Sequence, residues 1–350
     1  MAEDGPARRG MREVARIAGV TTATVGNALN RPHLVAPATR ERIEAAIAEV
    51  GLVRSVPARL LRGMPSPVVG LVILDLGNPF YAELGRGAED RLVEAGCTLT
   101  ICSTDARVDG EARALSVLEE QAVRGIIVTP VSQDAARVLA TVRRGMPVVL
   151  LDHTDDELDL CSASADSSLG SRLSAEHLLG LGHRRLAFVR DSGAVPSVEK
   201  RFAATREAVA AAGLDPDRAL RDVRLPAGQQ PAAAAETIAA QLAAQKSAPT
   251  GLICQNDVIA LGVLRGLARR GVSVPDDVSV VGYDDLPYAD QLAPALTTVR
   301  QPAAELGRAA ADLLLAEDSP NHVHRRIAFA PQLIVRGSTA AAPSGSARRG

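Results

Sequence analysis

Residues 11–29, MREVARIAGVTTATVGNAL, decide how the first part of this chain folds. Apolar residues recur at helical spacing over 12–18, which predicts a short helix. Gly19 ends that helix, because glycine readily adopts the left-handed conformation found after a last helical turn. Thr21 can cap a second helix that runs to about Leu29, since its hydroxyl can accept a hydrogen bond from a free helix amide. The stretch therefore predicts two helices joined by a tight turn.

A third helix is expected over 37–50, where Ile43, Ala46, Ile47 and Val50 fall on one face. Pro37 suits its first turn, and a glycine follows its last residue. Three helices in about 40 residues, the first two joined tightly, are typical of a helix-turn-helix unit.

From Val68 onward the pattern changes to alternating strands and helices. The predicted strands are continuous apolar runs rich in β-branched residues, as in parallel sheets buried on both faces. Two doubly wound α/β lobes fit this pattern, each with a cleft at the carboxyl ends of its strands. The predicted strands are 68–74, 97–103, 125–128, 147–151, 186–190, 250–254 and 278–282; the predicted helices are 80–95, 110–123, 133–144, 196–212, 231–245 and 258–270.

The charge of the chain is divided unevenly. The 350 residues carry a net charge of −2. Residues 1–63 hold ten Arg against six acidic residues, a net of +4, so the remainder carries −6. A basic head on an acidic body favours a polyanion-binding module joined to a second function.

Several classes of protein are disfavoured by the sequence. No apolar run approaches the roughly 18–20 residues that span a bilayer, and residues 1–10 lack a secretory signal, so we expect a cytoplasmic protein. The four cysteines are too few and too scattered for a disulfide framework or a zinc site. His322 and His324 form a possible metal pair, but two ligands without a third are weak, and we predict no metal and no cofactor. No nucleophile elbow or P-loop occurs, so we expect no enzyme.

The chain resembles the LacI/GalR family of bacterial transcriptional repressors. The resemblance rests on an ordered set of motifs that covers about residues 11–337, nearly the whole chain. These motifs are EVARIAGV at 13–20, TTATV at 21–25, ALN at 28–30, TRER at 39–42, NPF at 78–80, HLLGLGHR at 177–184, ND at 256–257, PDDVSVVGYDD at 275–285 and LTTVRQ at 296–301.

The resemblance implies an all-α helix-turn-helix head followed by a periplasmic-binding-protein-like sensor of two α/β lobes. We expect disordered tails at 1–10 and 338–350, a DNA-binding domain at 11–54 and a hinge helix and linker at 55–67. The sensor then spans 68–337, with lobe 1 at about 68–164 and 300–322 and lobe 2 at about 165–299 and 323–337. The chain accordingly crosses between lobes near Ser164, Val299 and His322.

The family pattern also implies which residues touch DNA. Thr22, Ala23 and Asn27 take the base-contacting positions at the start of the second helix, where asparagine can pair with adenine and methyl groups can meet a thymine methyl. In the hinge, a leucine enters the minor groove in the family. The expected DNA-contacting residues are Thr21, Thr22, Ala23, Thr24, Asn27, Asn30, Ser55, Ala58 and Leu61. The family usually has Ser-Arg where this chain has Gly26-Asn27, so the operator sequence does not carry over.

A small effector is expected in the cleft between the lobes. Asp, Asn and Arg side chains there suit a polyhydroxylated ligand, because each can make two hydrogen bonds to neighbouring hydroxyls. The expected effector-binding residues are Asn78, Phe80, Asp152, Arg201, Asn256, Asp284 and Gln301. Asn256 and Asp284 also have ordinary structural interpretations, as a helix cap and an ion-pair partner.

The sequence thus predicts a dimeric, sugar-responsive repressor that binds a pseudo-palindromic operator, because dimer symmetry dictates site symmetry. The tail lacks a leucine heptad long enough for a tetramerising helix. Two alternatives stay open: a sugar-binding protein without a DNA role, and a co-repressed regulator that responds to a nucleoside or purine.

Overall fold

The computed structural model of the chain describes residues 6–52, 65–132, 135–153, 158–193, 195–245, 247–319 and 321–343. The chain divides into two compact units, Met1–Ser66 and Pro67–Gly350. The predicted hinge residues Ser55, Ala58 and Leu61 lie outside the described residues.

The first unit contains three α-helices and a single 3-10 turn in its described part. Val14, Val25 and Ile43, one from each helix, have no exposed surface and form the centre of its small core. The helices are α1 (Pro6–Ala18), α2 (Thr22–Asn30) and α3 (Pro37–Val50), with the 3-10 turn at Pro32–Leu34. The helix-turn-helix prediction is confirmed.

Helix α1 begins at Pro6, inside the segment 1–10 that was predicted to be a disordered tail. Pro6 opens the helix and Ala7, Arg8 and Arg9 continue it. Proline is preorganised for a first helical turn, and alanine and arginine are strong helix formers, so local propensity extends the helix toward the N-terminus.

In the described part of the second unit, helices cover two six-stranded sheets. In chain order its elements are β1 (Val68–Ile73), α4 (Pro79–Glu94), β2 (Thr98–Ser103), α5 (Val108–Glu120), β3 (Ile126–Val128), α6 (Ala136–Arg143), β4 (Val148–Leu151), β5 (Cys161–Ala165), α7 (Ser167–Gly180), β6 (Leu186–Arg190), α8 (Pro196–Ala211), α9 (Pro216–Ala219), β7 (Leu220–Arg224), α10 (Pro231–Ala243), β8 (Gly251–Cys254), α11 (Asp257–Arg269), β9 (Ser279–Asp284), β10 (Thr297–Arg300), α12 (Ala303–Ala316), β11 (Arg326–Phe329) and β12 (Gln332–Ile334).

The two sheets correspond to two lobes. The first has the order β11-β5-β4-β3-β1-β2 with parallel neighbours throughout, and the second has the order β12-β10-β9-β8-β6-β7. In the second sheet only β12 runs antiparallel to its neighbour. Helix α4 packs on α12 in the first lobe, and α10 packs on α11 in the second. The predicted pair of doubly wound lobes is confirmed.

The chain passes between the lobes three times. The first two passages follow β5 and β10, close to Ser164 and Val299. The third differs from the prediction near His322, because Arg326–Phe329 pairs with β5 in the first sheet and only Gln332–Ile334 joins the second. The passage therefore lies at Ala330 and Pro331. A four-residue edge strand with alternating exposure gives too weak a hydrophobic signal to be assigned to a lobe from sequence.

The predicted disordered tail at 338–350 is wrong for residues 338–343. Ser338 is fully buried, and its hydroxyl donates to the carbonyl of Val280 at 2.6 Å and accepts from the amide of Thr297 at 2.8 Å. The amide of Ala342 donates to the carbonyl of Leu181 at 2.8 Å. These bonds fix the segment because they satisfy backbone groups of the second lobe.

None of the helices in the described residues is both long and apolar enough to cross a bilayer.

Two glycines in the first unit give opposite predictions for the same substitution. Gly26 lies inside α2 and a Cβ there meets open space, whereas Gly19 ends α1 at a φ of +65°. We expect Gly26→Ala to stabilise α2 by about 1 kcal/mol, because alanine has the higher helix propensity. Gly19→Ala should destabilise the unit by a similar amount, about 1 kcal/mol, because alanine resists the left-handed conformation.

Amide hydrogen exchange of the full chain checks this pair. Exchange from α2 should slow about fivefold in Gly26→Ala and accelerate in Gly19→Ala. Equal rates in the two variants would contradict the assignment of these two backbone positions.

Candidate functional sites

Helix α2 in the first unit presents three predicted base-contacting residues on its exposed side. Thr22, Ala23 and Asn27 are all exposed, whereas Val25 and Ala28 are buried in the core of the unit. Helical periodicity explains the separation, since positions 25 and 28 share the inward face. The three residues are therefore free to reach a partner along one surface.

Thr21 and Thr24 are tied to each other at the start of α2. The Thr21 hydroxyl oxygen accepts from the amide of Thr24 at 3.1 Å, which makes Thr21 the N-cap, and the two hydroxyls lie 2.9 Å apart. The cap satisfies one of the free amides of the first turn and fixes where α2 begins. Neither side chain is buried, so a cap role and a phosphate contact are compatible.

In the second unit, Asp284 joins three separate parts of the chain. It is the last residue of β9 in the second lobe and is 7% exposed. Its carboxylate accepts from the amide group of Asn78, which follows β1 in the first lobe, at 3.0 Å. It also accepts from Gln301, at the second passage between lobes, at 2.8 Å. Both lobes and the connection between them therefore meet on one buried carboxylate.

Arg201 lies beside Asp284 with part of its hydrogen-bonding capacity unused. One terminal nitrogen donates to the carbonyl of Gln255 at 2.9 Å, and the guanidinium carbon lies 3.6 Å from the ring centroid of Tyr283. The Nε of Arg201 and the Oε1 of Gln301 are buried and have no hydrogen-bond partner among the described residues. A buried donor or acceptor without a partner costs about 1–3 kcal/mol, so both atoms retain unused hydrogen-bonding capacity.

Asp152 provides a second link between the lobes. It follows β4 of the first lobe and accepts a hydrogen bond from the side chain of Ser197 on α8 of the second. Asp152 and Asp284 have positive φ values of 50° and 105°, in the region that non-glycine residues rarely occupy. Such backbone strain costs about 1–3 kcal/mol and clusters at ligand sites.

Burial shifts the acid–base properties of this cluster. Desolvation raises the pKa of Asp284 to about 6, although Arg201, Asn78 and Gln301 oppose the shift. Burial likewise raises the pKa of Asp152, with Arg201 again opposing, and raises that of Tyr283 to about 12. The phenol thus stays neutral at pH 7, and Asp284 is ionised there only because its partners favour the charge.

Phe80 and Asn256, which are also predicted effector residues, make structural contacts. Phe80 is 6% exposed and packs edge-on against Tyr81 in the core, with ring centroids 5.3 Å apart, while its amide donates to Asn78. Asn256 uses its side-chain oxygen to cap α11, accepting from the amide of Ile259 at 2.9 Å. The structure thus brings together Asn78, Asp152, Arg201, Asp284 and Gln301, gives Asn256 its structural role as a cap, and places Phe80 in the hydrophobic core.

A cavity of about 340 Å³ adjoins the cluster at Asp284 and Gln301. Gln301 and Ala330, which lie at two of the passages between the lobes, contribute to its lining. Its other lining residues are Glu83, Asp285, Arg300, Pro302, Glu305, Ala330 and Gln332. Because carboxylates dominate this lining, the cavity favours a neutral or cationic occupant over an anion.

Sequence reasoning missed Ser197 and Gln255, which hold Asp152 and Arg201 in place. Ser197 had an available signal, since it lies one helical turn before Arg201 on the same helix. Gln255 acts through its backbone carbonyl, which any residue type supplies, so no sequence signal marks it. Sequence reasoning also missed Gly170, where a Cβ would collide with the hydroxyl of Tyr283.

Two family profiles match parts of this chain. The profile described as "Bacterial regulatory proteins, lacI family" matches residues 10–55, and that described as "Periplasmic binding protein-like domain" matches residues 175–339. The ribose operon repressor of Escherichia coli (strain K12) is 31% identical over 334 residues, 94% of this chain and 99% of that protein. The chain belongs to the lacI family of bacterial regulatory proteins.

Other lacI-family proteins agree with this assignment. The HTH-type transcriptional repressor PurR of Photobacterium profundum is 29% identical over 331 residues, 94% of this chain and 98% of that protein. The crystal structure of the Lac repressor dimer bound to operator and the anti-inducer ONPF superposes with a TM-score of 0.80 at 27% identity, covering 95% of this chain and 99% of that one.

The raised pKa of Asp284 predicts a pH-dependent stability. The unfolded chain loses this proton near pH 3.8 and the folded chain near pH 6. The contribution of Asp284 to the free energy of unfolding therefore falls as pH rises through this window, by about 3 kcal/mol in all, and is level above it.

Denaturant titrations of the wild-type protein and Asp284→Asn between pH 4 and 7 test this sign. The variant lacks the titrating group, so wild type should lose stability relative to it as pH rises. Parallel curves would show that Asp284 is ionised throughout.

Proposed function

We propose that this protein is a dimeric repressor whose affinity for operator DNA is set by a small sugar-like effector between the two lobes. The observation that carries the proposal is the buried cluster around Asp284, which spans both lobes and leaves Nε of Arg201 and Oε1 of Gln301 without partners among the described residues. A site that combines lobe-to-lobe contacts with unused polar atoms suits a ligand that changes how the lobes meet.

The chemistry of the cluster favours a neutral polyhydroxylated ligand. Arg201 offers a donor, Gln301 an acceptor, and Asp152 and Asp284 additional acceptors, so hydroxyl groups can both donate and accept. The two carboxylates offset the single guanidinium, which disfavours an anionic ligand. The similarity to a repressor named for a ribose operon supports the same class.

On the DNA side, we propose that Thr22, Ala23 and Asn27 meet base edges in the major groove, as the recognition helix of a helix-turn-helix does. Thr21, Thr24 and Asn30 then hold phosphate and fix the register. The hinge residues Ser55, Ala58 and Leu61 complete the proposed DNA contacts, with the leucine entering the minor groove. Similarity to a repressor dimer bound to its operator supports two heads acting together.

Effector binding is coupled to DNA binding because the effector has different affinities for two arrangements of the lobes. A ligand that accepts a hydrogen bond from Arg201 or donates one to Gln301 changes the network in which Asn78 and Asp284 link the lobes. Whichever lobe arrangement binds the effector better then becomes more populated, and its affinity for DNA becomes that of the protein.

The protein acts on DNA rather than as an enzyme in this proposal, because its buried acids serve hydrogen bonds between lobes. DNA as the target implies action in the cytoplasm.

Arg201→Ala should abolish the response to effector while sequence-specific DNA binding persists. The change removes the central donor of the proposed effector site and lies in the second unit, whereas the proposed base-contacting residues lie in the first. Mobility shifts on the upstream DNA of the protein's own gene, with and without a panel of pentoses, hexoses and purines, measure both properties.

Matched variants sharpen this test. Arg206→Ala, on the same helix and paired at the surface with Asp217 at 2.8 Å, should leave the response unchanged. Arg201→Lys retains the charge and should restore part of it. Loss of DNA binding in Arg201→Ala would contradict the effector role, and a response to purines alone would replace the sugar with a purine ligand.

Asn27→Ala should weaken operator binding by about 1–3 kcal/mol while affinity for unrelated DNA stays the same. Its side chain is proposed to meet a base rather than a phosphate, so the salt dependence of binding should also be unchanged. Fluorescence anisotropy across a salt series measures both, and an equal loss on both DNAs would identify Asn27 as a phosphate contact.

A further inference from the structure

Four potential metal ligands meet at one end of the first lobe, away from the effector cluster. Cys161 begins β5, Glu317 follows α12, and His322 and His324 lie in the connection to β11. One ligand atom from each of them lies within 4.8 Å of all the others. The sequence offered only the two histidines, because Cys161 is more than 150 positions away and is brought alongside by the pairing of β5 with β11.

The distances match a tetrahedral site. Sγ of Cys161 lies 3.3 Å from Nε2 of His322, which lies 3.0 Å from Oε1 of Glu317, and Nδ1 of His324 lies 3.5 Å from the same oxygen. Zinc–ligand bonds of about 2.0–2.3 Å at tetrahedral angles place neighbouring nitrogen and oxygen ligands about 3.3 Å apart and sulfur and nitrogen about 3.5 Å apart. Small side-chain movements therefore suffice to enclose one ion.

The charge and surroundings of the cluster also suit a divalent ion. A thiolate and a carboxylate with two neutral imidazoles sum to −2, so an ion of charge +2 makes the site neutral, which removes the penalty of burying a net charge. Cys161 is buried, and Glu317 and His322 have side chains only 13% and 11% exposed. The amide of Arg325 lies 3.4 Å from Sγ of Cys161 and donates to it, as groups around a metal-bound sulfur do.

We propose that Cys161, Glu317, His322 and His324 bind one zinc ion, or another divalent transition metal of the same preference. All four positions are taken by protein atoms, so the site is structural rather than catalytic. The ion joins the end of α12 and the approach to β11 to the first residue of β5. It thereby holds the start of β5 and the approach to β11 together within the first lobe. These are two of the three strands after which the chain passes between the lobes.

Cobalt substitution of the full-length protein tests the proposal directly. Purified protein is freed of metal with a chelator, reduced without thiol reagents and titrated with Co²⁺. A tetrahedral site with one thiolate gives intense visible bands and a sulfur-to-cobalt charge-transfer band in the near ultraviolet. We expect both to saturate at one ion per chain and to disappear when zinc is added.

Two ligand variants and one control identify the residues. Cys161→Ser should lose the charge-transfer band, and His324→Ala should weaken zinc affinity at least about tenfold in competition with a chromophoric chelator. Cys102→Ser, which removes another free thiol of the same lobe, should leave both unchanged. His324 is partly exposed, so circular dichroism of its variant should match wild type.

Thermal unfolding provides a separate readout. Zinc should raise the melting temperature of wild type and Cys102→Ser but not that of His324→Ala, since an ion that binds only the folded state stabilises it. The proposal is overturned if the protein binds no Co²⁺ or Zn²⁺, or if His324→Ala and Cys161→Ser bind with unchanged affinity and spectrum. The cluster is then an ordinary His322–Glu317 ion pair beside a buried thiol.

Discussion

A carboxylate held out of water organises the sensor unit. Asp284 is 7% exposed, and it keeps its charge near neutral pH only through hydrogen bonds from Asn78 and Gln301 and the nearby guanidinium of Arg201. These partners come from the other lobe, from a passage between lobes and from the lobe of Asp284 itself. An unpaired buried charge is so costly that the lobes cannot separate without water or a ligand replacing those bonds.

A repulsive pair opposes this attraction. Asp75 follows β1 in the first lobe and Asp191 follows β6 in the second, and burial together with the charge of Asp75 raises the pKa of Asp191. Like charges facing each other favour separation, while Asn78–Asp284 and Ser197–Asp152 favour contact. Opposed terms of this kind reduce the free-energy difference between contact and separation of the lobes, so a smaller differential affinity of a ligand is enough to shift the two populations.

The sequence predicted helices and strands correctly wherever the local signal was strong. Pro37 and Gly51 bracket the third helix at the predicted positions, and continuous apolar runs identified β1, β4 and β6. Cys161–Ala165, with its small residues, and Leu220–Arg224, with its alternating charges, gave no such signal because tertiary pairing rather than propensity makes them strands. Asp152 and Asp284 were predicted as effector residues because they lie at the carboxyl ends of predicted strands, whereas Gln255 was not, because it holds Arg201 through its backbone carbonyl.

Charged pairs hold the second-lobe ends of two passages between the lobes. Asp285, next to Asp284, accepts a hydrogen bond from Arg300 at the end of β10 at 2.6 Å and forms an ion pair with Arg336, just after β12, at 2.7 Å. Its side chain is 6% exposed, so these pairs are weakly screened by solvent. They clamp two of the three passages to the second lobe at the position adjoining Asp284. Because both pairs lie in the second lobe, we expect a change in the bonds of Asp284 to act on the angle between lobes rather than on the packing within either one.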